Sequence, residues 1–503
     1  MYNGKVFLVG AGPGDVGLLT IKAKKYIQEA DVILYDYLVT DEVISFAKDD
    51  AELIYVGKKA GQHTLKQEEI NQLLVNKAKE DKSVVRIKGG DPFLFGRGGE
   101  EALFLVEQGI PFEVVPGVTS AIAVPAYAGI PVTHREYASS LCIVTGHESI
   151  DKAIVPWENI AGIETIVILM GVSNLQEIVQ KLLKSGKSPD TPVAVIHHGT
   201  TNQQKTVVST LAEVNLVSTS IHAPAIIVVG KVVELREKLR WFEDKPFFGK
   251  GILVTRPILQ HNSQMPEFNL KLQDLGAVVY EQPTIKIISP ESFDELNAAI
   301  GRIKKYQWLI FTSVNGVRYF MQQLKVCGID IRQLHGIKIA VIGPQTRLEV
   351  EKYCLTVDYC PNEFVAEALV EGLKGYDMNG KHILVPRAKV ARDVLENGLR
   401  EQGAITHVVT AYQSVYCKGE RIKQLLVEHK IVVITFTSPS CVCGFCSIFE
   451  GEDIQAYLSG VKIACIGPIT QKAAVELNLR VDMVAKEYTA DGLVEAILEG
   501  VKG

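Results

Sequence analysis

Along the chain, short apolar runs rich in β-branched residues alternate with longer stretches whose apolar residues follow helical spacing. Residues 6–9, 32–35, 84–87, 166–169 and 226–229 are the clearest such runs. Strands separated by helices build α/β units with mainly parallel sheets, and that is the fold class the pattern predicts. A chain of 503 residues is too long for one such unit; about two to four are expected.

After residue 229 a charged amphipathic stretch, 234–240, leads into 241–251, which carries Pro246, Gly249 and Gly251. The strand-like Ile252-Leu253-Val254 follows, so a short linker is expected near 243–250, between domains at 1–242 and 249–503. The second half repeats itself. Ile339-Ala340-Val341-Ile342-Gly343-Pro344-Gln345-Thr346 returns as Ile463-Ala464-Cys465-Ile466-Gly467-Pro468-Ile469-Thr470, 124 residues on (343 to 467). Phe311-Thr312-Ser313 returns as Phe436-Thr437-Ser438, and Glu363-Phe364 as Glu487-Tyr488. Ile252-Leu253-Val254-Thr255-Arg256 resembles Ile383-Leu384-Val385-Pro386-Arg387. Two similar α/β lobes facing across a cleft are the simplest outcome, and such clefts suit ligands.

Composition narrows the partners. Hydrophobic residues make up 47% and charged residues 22%, enough for a folded core, and the net charge of −5 gives no reason to expect nucleic acid or an anionic membrane. No secretory leader or membrane-length apolar run is apparent, so a cytoplasmic protein is expected. Nine cysteines show no framework spacing. The cluster Cys441-Val442-Cys443-Gly444-Phe445-Cys446 has no second pair to complete a zinc site, so free thiols and no metal are expected.

Gly10-Ala11-Gly12-Pro13-Gly14-Asp15 follows the first apolar run. A dinucleotide loop needs glycine where Asp15 stands, and Pro13 removes an N–H that a pyrophosphate would use. A carboxylate there would also repel phosphate. The loop suits a ligand whose charged groups are a sulfonium and an amino acid, which a Gly-rich backbone can approach closely. Lys88-Gly89-Gly90-Asp91-Pro92-Phe93-Leu94-Phe95-Gly96-Arg97-Gly98-Gly99-Glu100-Glu101 supplies a second loop with exposed backbone carbonyls.

Val56-Gly57-Lys58, Val115-Pro116-Gly117-Val118-Thr119-Ser120, Ala128-Gly129-Ile130-Pro131-Val132-Thr133-His134-Arg135, Thr145-Gly146-His147 and Met170-Gly171 occur in order with these loops. Together, over residues 4–236, they resemble uroporphyrinogen-III C-methyltransferases of the tetrapyrrole methylase class. The resemblance implies a two-lobed domain with S-adenosylmethionine between the lobes. Its contacts would come from Pro13, Gly89, Gly90, Asp91, Leu94, Thr119, Ser120, Met170 and Gly199, with Ala225 near the adenine. It also implies two methyl transfers that turn uroporphyrinogen III into precorrin-2. Electron-rich pyrrole carbons attack a sulfonium methyl held in line, and a proton must then leave the macrocycle. Asp36 matches the family's proposed proton acceptor and Lys58 its proposed donor. By chemistry alone Asp36 is equally a cap or turn residue, and Lys58 a solvated charge. Arg97, His134 and Arg135 are candidates for the substrate's carboxylates, with surface ion pairing the plainer alternative. His147, His197 and His198 lack ligand spacing and read as hydrogen-bonding groups. Methylases of this class are commonly dimers, which implies a homodimer through the first half.

The second half shows no nucleophile triad and no phosphate loop. Its repeated Thr-Ser and Gly-Pro-x-Thr elements offer hydroxyls and N–H groups at strand ends, suited to carboxylates and equally to helix caps. Leu253-Val254-Thr255-Arg256-Pro257, Ile310-Phe311-Thr312-Ser313-Val314-Asn315-Gly316-Val317, Tyr412-Gln413-Ser414 and Ile466-Gly467-Pro468-Ile469-Thr470 resemble uroporphyrinogen-III synthase over 249–499. That family closes hydroxymethylbilane into a ring with inversion of the last pyrrole, without metal or organic cofactor. The resemblance maps onto Thr346, Tyr412 and Thr470, with Ser313 and Ser438 as carboxylate contacts. Tyr412 would serve the departing hydroxyl, or else is a core tyrosine with a satisfied hydroxyl. The resemblance also implies that the chain crosses between lobes more than once. The alternatives are a methylase fused to a non-catalytic tetrapyrrole-binding module and a nicotinamide oxidoreductase, which Pro13 and Asp15 disfavour.

Overall fold

The computed structural model describes residues 4–57, 65–146, 155–218, 221–256, 267–390 and 393–502. The chain divides into two compact units, Met1–Gly249 with Leu275–Val278, and Lys250–Asp274 with Val279–Gly503.

The first unit opens with β1 (Lys5–Gly10), β2 (Val32–Tyr35), β3 (Glu52–Tyr55), β4 (Ser83–Lys88) and β5 (Phe112–Val115). They form a parallel sheet in the order β3-β2-β4-β1-β5. Val6, Leu8, Leu34 and Val84 face one core, and Val9, Ile33, Val85 and Ile87 the other, so both faces are covered, as parallel sheets require. The chain leaves β1 towards β2 and leaves β4 towards β5, in opposite directions. Such a switch point opens a crevice at the carboxyl ends of the two neighbouring strands.

A second lobe holds β6 (Leu141–Thr145), β7 (Thr165–Leu169), β8 (Pro192–His197), β9 (Lys205–Thr210) and β10 (Ala225–Val229), ordered β6-β7-β10-β8-β9. Only β6 and β7 run parallel there; β10 is antiparallel to both neighbours, and β9 to β8. Mainly parallel pairing thus holds elsewhere but not in this sheet. Its central strands are buried along their length, so their apolar runs carry no sign of direction. The helix Ser120–Tyr127 packs on it through Ala121 and Val124.

The two units part at Gly249/Lys250, inside the stretch 243–250, where exposed Asp244, Pro246 and Gly249 alternate with buried or half-buried side chains. Phe242 and Phe247 are 4% and 1% exposed. Glu243 accepts from Gln204 Nε2 at 2.8 Å and Thr206 Oγ1 at 2.7 Å, and pairs with Arg236.

The second unit contains β11 (Gly251–Val254), β12 (Val278–Glu281), β13 (Ile285–Ile288), β14 (Trp308–Phe311), β15 (Lys338–Val341), β16 (His382–Ala388), β17 (Ile405–Tyr416), β18 (Val433–Phe436), β19 (Lys462–Cys465) and β20 (Met483–Val484). They make two sheets, β12-β11-β18-β19-β20 and β13-β17-β16-β14-β15. The sequence repeat is visible atom by atom. Ile339 N donates to Asp358 Oδ2 at 2.7 Å and Ile463 N to Asp482 Oδ2 at 2.9 Å. In each case the residue after the aspartate continues the sheet, Tyr359 beside Ala340 and Met483 beside Ala464. The two copies lie one in each lobe, but each lobe is not one stretch of chain. β11 sits beside β18 as β16 sits beside β14, although β11 precedes both copies. The chain therefore crosses between lobes twice. Leu253, Ile434 and Phe436 share one core with Leu309, Phe311 and Leu384.

Candidate functional site

In the first unit, the loops after β1, β4 and β5 meet at the switch point. Gly12 N donates to Gly90 O at 3.2 Å and Gly90 N to Gly12 O at 2.7 Å, while Ala11 N reaches Lys88 O at 2.8 Å. A Cβ on Gly117 would lie 2.2 Å from Gly90 O and 2.8 Å from Gly10 Cα. Three glycine backbones are therefore in direct contact, and no other residue allows that approach. Asp91 locks the arrangement: Oδ1 accepts from Phe93 N at 2.8 Å and Oδ2 from Gly117 N at 3.0 Å. Thr119 caps the following helix through Ala121 N at 3.2 Å.

Both carboxylate oxygens of Asp15 are engaged by protein donors. Its Oδ1 accepts from Gly17 N at 2.7 Å and its Oδ2 from the Tyr127 hydroxyl at 2.7 Å. Its own N–H donates to Thr200 Oγ1 in the second lobe at 3.2 Å. The Gly-rich loop is thus tied to both the central helix and the far lobe. Burial, and then the Asp15 carboxylate, hold the Tyr127 hydroxyl protonated well above the ordinary tyrosine range.

The second lobe presents Met170, His198 and Thr200 with φ of +54°, +45° and +67°, and Phe95 and Arg97 on the β4 loop have φ of +53° and +59°. Five such non-glycine residues around one crevice mark stored backbone strain of the kind found at ligand sites. Gly199 touches the central helix, where a Cβ would lie 2.3 Å from Val124 Cγ1. Ala225 pairs with His197 at the start of β10. Met170 is 51% exposed, and Leu94 packs against the core beneath the second sheet. Pro13 and Gly89 lie in the loops after β1 and β4, and Ser120 begins the central helix. His197 Nδ1 lies 2.7 Å from His222 O, and burial, then neighbouring His197, lowers the His198 pKa.

Asp36 stands just beyond β2, where its Oδ1 accepts from Leu38 N at 3.1 Å and its Oδ2 from Arg86 Nη2 at 3.1 Å. Leu38 abuts Gly89: a Cβ on that glycine would come within 2.8 Å of Leu38 Cβ. Behind Asp36, Lys88 Nζ donates to Glu101 Oε1 at 2.8 Å, and Gln67 Nε2 donates to the same oxygen at 3.0 Å. Burial, then Arg86 beside it, lowers the Lys88 pKa. Arg86 and Glu101 carry no motif in the sequence, although two cations two residues apart in β4, Arg86 and Lys88, share one face and so announce a buried partner. Tyr127 and Thr200 had no such signal.

The three candidates for substrate carboxylates are less enclosed. Arg97 pairs with Glu100 at 2.5 Å, His134 Nδ1 accepts from Glu136 N at 3.1 Å, and Arg135 is exposed. Lys58 and His147 lie outside the described residues.

In the second unit, Ser313 and Ser438 cap matching helices. Ser313 Oγ accepts from Gly316 N at 3.1 Å and Ser438 Oγ from Cys441 N at 3.3 Å. Thr346 and Thr470 lie in the first turns of Pro344–Glu351 and Pro468–Glu476 and are buried. The Tyr412 hydroxyl is 3.0 Å from Ser313 Oγ, its ring stacks on Tyr319, and burial raises its pKa. Cys441, Cys443 and Cys446 share one helix, and burial pushes the Cys446 thiol up to about 11. Among the described residues no group of His, Cys, Asp or Glu is arranged to hold a metal, and no helix is long and apolar enough to cross a membrane.

Two family models match the chain: Tetrapyrrole (Corrin/Porphyrin) Methylases over residues 5–215 and Uroporphyrinogen-III synthase HemD over 266–495. A porphyrin biosynthesis protein HemD from Ruminiclostridium josui is 40% identical over 505 residues, covering 99% of this chain and 98% of the relative. A uroporphyrinogen-III C-methyltransferase from Bacillus subtilis (strain 168) is 55% identical over 247 residues, covering 48% of this chain and 96% of the relative. A Thermus thermophilus uroporphyrin-III C-methyl transferase structure with S-adenyl homocysteine is 42% identical, covering 46% of this chain and 100% of its own, with a TM-score of 0.41.

Proposed function

The chain belongs to the family of tetrapyrrole methylases fused to uroporphyrinogen-III synthases, and from that premise we propose that it makes and then methylates uroporphyrinogen III. The second unit closes hydroxymethylbilane to uroporphyrinogen III, and the first adds two methyl groups to give precorrin-2. The observation that carries this is the match of both family models, in order, along one chain whose full length aligns with a porphyrin biosynthesis protein.

S-Adenosylmethionine supplies an electrophilic methyl group on a sulfonium. The crevice residues fit it: among Pro13, Gly89, Gly90, Asp91, Leu94, Thr119, Ser120, Met170, Gly199 and Ala225 there is no cation to repel the sulfonium, and the glycines, having no side chains, let a ligand approach the backbone closely. Asp15 and Asp91 are occupied by backbone and tyrosine donors, so they shape the crevice without offering a phosphate receptor. The Asp36 carboxylate accepts the proton that leaves the methylated macrocycle, Lys58 returns one, and Arg97, His134 and Arg135 receive substrate carboxylates. In the second unit, helix N-termini capped by Ser313 and Ser438, with Thr346 and Thr470, grip substrate carboxylates. Tyr412, kept protonated by burial, donates to the departing hydroxyl as it leaves as water. The working form is a homodimer through the first unit.

Hydroxymethylbilane supplied to the purified chain with and without S-adenosylmethionine tests both steps. Type-III uroporphyrinogen without the methyl donor, and a dimethylated product with it, are expected. Methylation of supplied uroporphyrinogen III with no cyclisation would reduce the second unit to a binding module. No methylation would refute the assignment of the first.

A further inference from the structure

Asp36, Arg86, Lys88 and Glu101 form one ionic array beneath the crevice. Arg86 and Lys88 are each 5% exposed and Glu101 is wholly buried; the Asp36 side chain is the one member with appreciable exposure, at 21%. The three buried charges sum to one positive charge, which Asp36 balances. The array lies on the same sheet face as Leu74, Ala102 and Leu105. Apolar side chains of similar volume would serve the fold there as well or better, because desolvating ions offsets their attraction. Nor is the array arranged for its own satisfaction: Arg86 Nε and Glu101 Oε2 are buried without a hydrogen-bond partner among the described residues.

Its geometry makes sense from the exposed end. Arg86 Nη1 donates to Ile87 O at 2.8 Å, which fixes the guanidinium against its own strand, while Nη2 holds Asp36 Oδ2 at 3.1 Å. Leu38 N holds the other Asp36 oxygen at 3.1 Å. A carboxylate gripped at both oxygens from two directions has its plane set. Glu101, 3.5 Å from Arg86 Nε and 2.8 Å from Lys88 Nζ, keeps the two neighbouring cations from repelling each other out of register.

We infer that Arg86 is a positioning residue for Asp36, aiming the carboxylate that takes the proton from the methylated macrocycle, and that Glu101 holds Arg86 in place for this. The inference rests on the role given to Asp36 above. It is tested with the full chain, supplied uroporphyrinogen III and S-adenosylmethionine. Arg86→Met/Glu101→Gln removes one charge of each sign and keeps the balance of the buried group. It should melt within a few degrees of the parent and bind the methyl donor unchanged, with KM little altered and kcat lower by about 100-fold, as for a misplaced reacting group. Arg86→Lys keeps the cation but not the fork; about a tenfold fall in kcat alone is expected, and this variant decides the matter if the double variant does not fold.

A purely structural role predicts something different in a cycle with Asp36→Asn. If Arg86 acts only through Asp36, adding Arg86→Lys to Asp36→Asn costs no further rate; independent losses that multiply would overturn the inference. Near-parental kcat in the folded Arg86 variants, with Asp36→Asn inactive, would also overturn it while leaving Asp36 its role. Near-parental kcat in Asp36→Asn itself would remove the premise and the inference together.

Discussion

Replacing Gly117 by alanine should disable the first unit while leaving the second active. The new Cβ would sit 2.2 Å from Gly90 O, and that oxygen must recede by about 1.2 Å to reach ordinary contact at 3.4 Å. It cannot recede freely. Gly90 O already accepts from Gly12 N at 3.2 Å, and Gly10 closes the other side at 2.8 Å. Overpacking of this kind costs about 1–3 kcal/mol, and a displacement near 1 Å in a reacting geometry costs on the order of 100-fold in rate. Gly99→Ala is the matched control: it lies in the helix Gly98–Glu107 with nothing within 4 Å of its Cβ, and alanine there should stabilise by up to about 1 kcal/mol. The assay is calorimetric affinity for S-adenosylmethionine with single-turnover methylation, and ring closure by the same sample serves as an internal standard. Parental affinity and turnover in Gly117→Ala would refute the reasoning that the close contact of the three glycine backbones sets the shape of the methyl-donor crevice.

Tyr127→Phe removes the hydroxyl that donates to Asp15 Oδ2 and should cost about 1.5–3 kcal/mol, read from thermal unfolding, with weaker binding of the methyl donor as the Gly-rich loop loses its tie. Lys22, Lys5 and Tyr26 hold the Glu113 carboxyl down to about 2, so this carboxylate stabilises the folded chain above the ordinary range near 4.5 and ceases to do so as pH falls through 2. Its side chain is 27% exposed, so solvent screening limits the effect to about 1 kcal/mol; the stability of parent and Glu113→Gln should differ at pH 6 by about this much and converge at about pH 2. Tyr412→Phe should leave stability within about 1 kcal/mol, since Ser313 keeps Gly316 N as a partner, while ring closure slows by about 100-fold in a discontinuous uroporphyrinogen assay.

The α/β alternation and the repeat were legible because they depend on spacing along the chain, which folding preserves. Strand direction in the second lobe was not: β7, β8 and β10 are almost wholly apolar and read alike either way. The segment near 243–250 reads as a linker from Pro246 and Gly249, and the two units do part at Gly249/Lys250, but the burial of Phe242 and Phe247 depends on contacts that spacing along the chain does not reveal. Asp15 is legible as an acid in a Gly-rich loop, but its partners Tyr127 and Thr200 stand 112 and 185 residues away and no local pattern points to them. Charges on a central strand are the clearest warning the sequence offers, and Arg86 and Lys88 gave it; only the fold names Glu101 as the answer.

The position of β11 has a consequence during synthesis. Ile252 pairs with Val433, so the first strand of the second unit leaves the ribosome long before its neighbour exists. At about 5–20 residues per second, the wait is roughly 10–40 s. Over that interval β13 to β17 can assemble their own sheet, since every partner they need has already been translated. β11 and β12 meanwhile remain an unclaimed ribbon with open edges, the kind of surface on which neighbouring nascent chains pair wrongly. Crowded polysomes and slow codons between 282 and 433 should therefore lower the soluble yield of this protein more than equal delays placed earlier in its message.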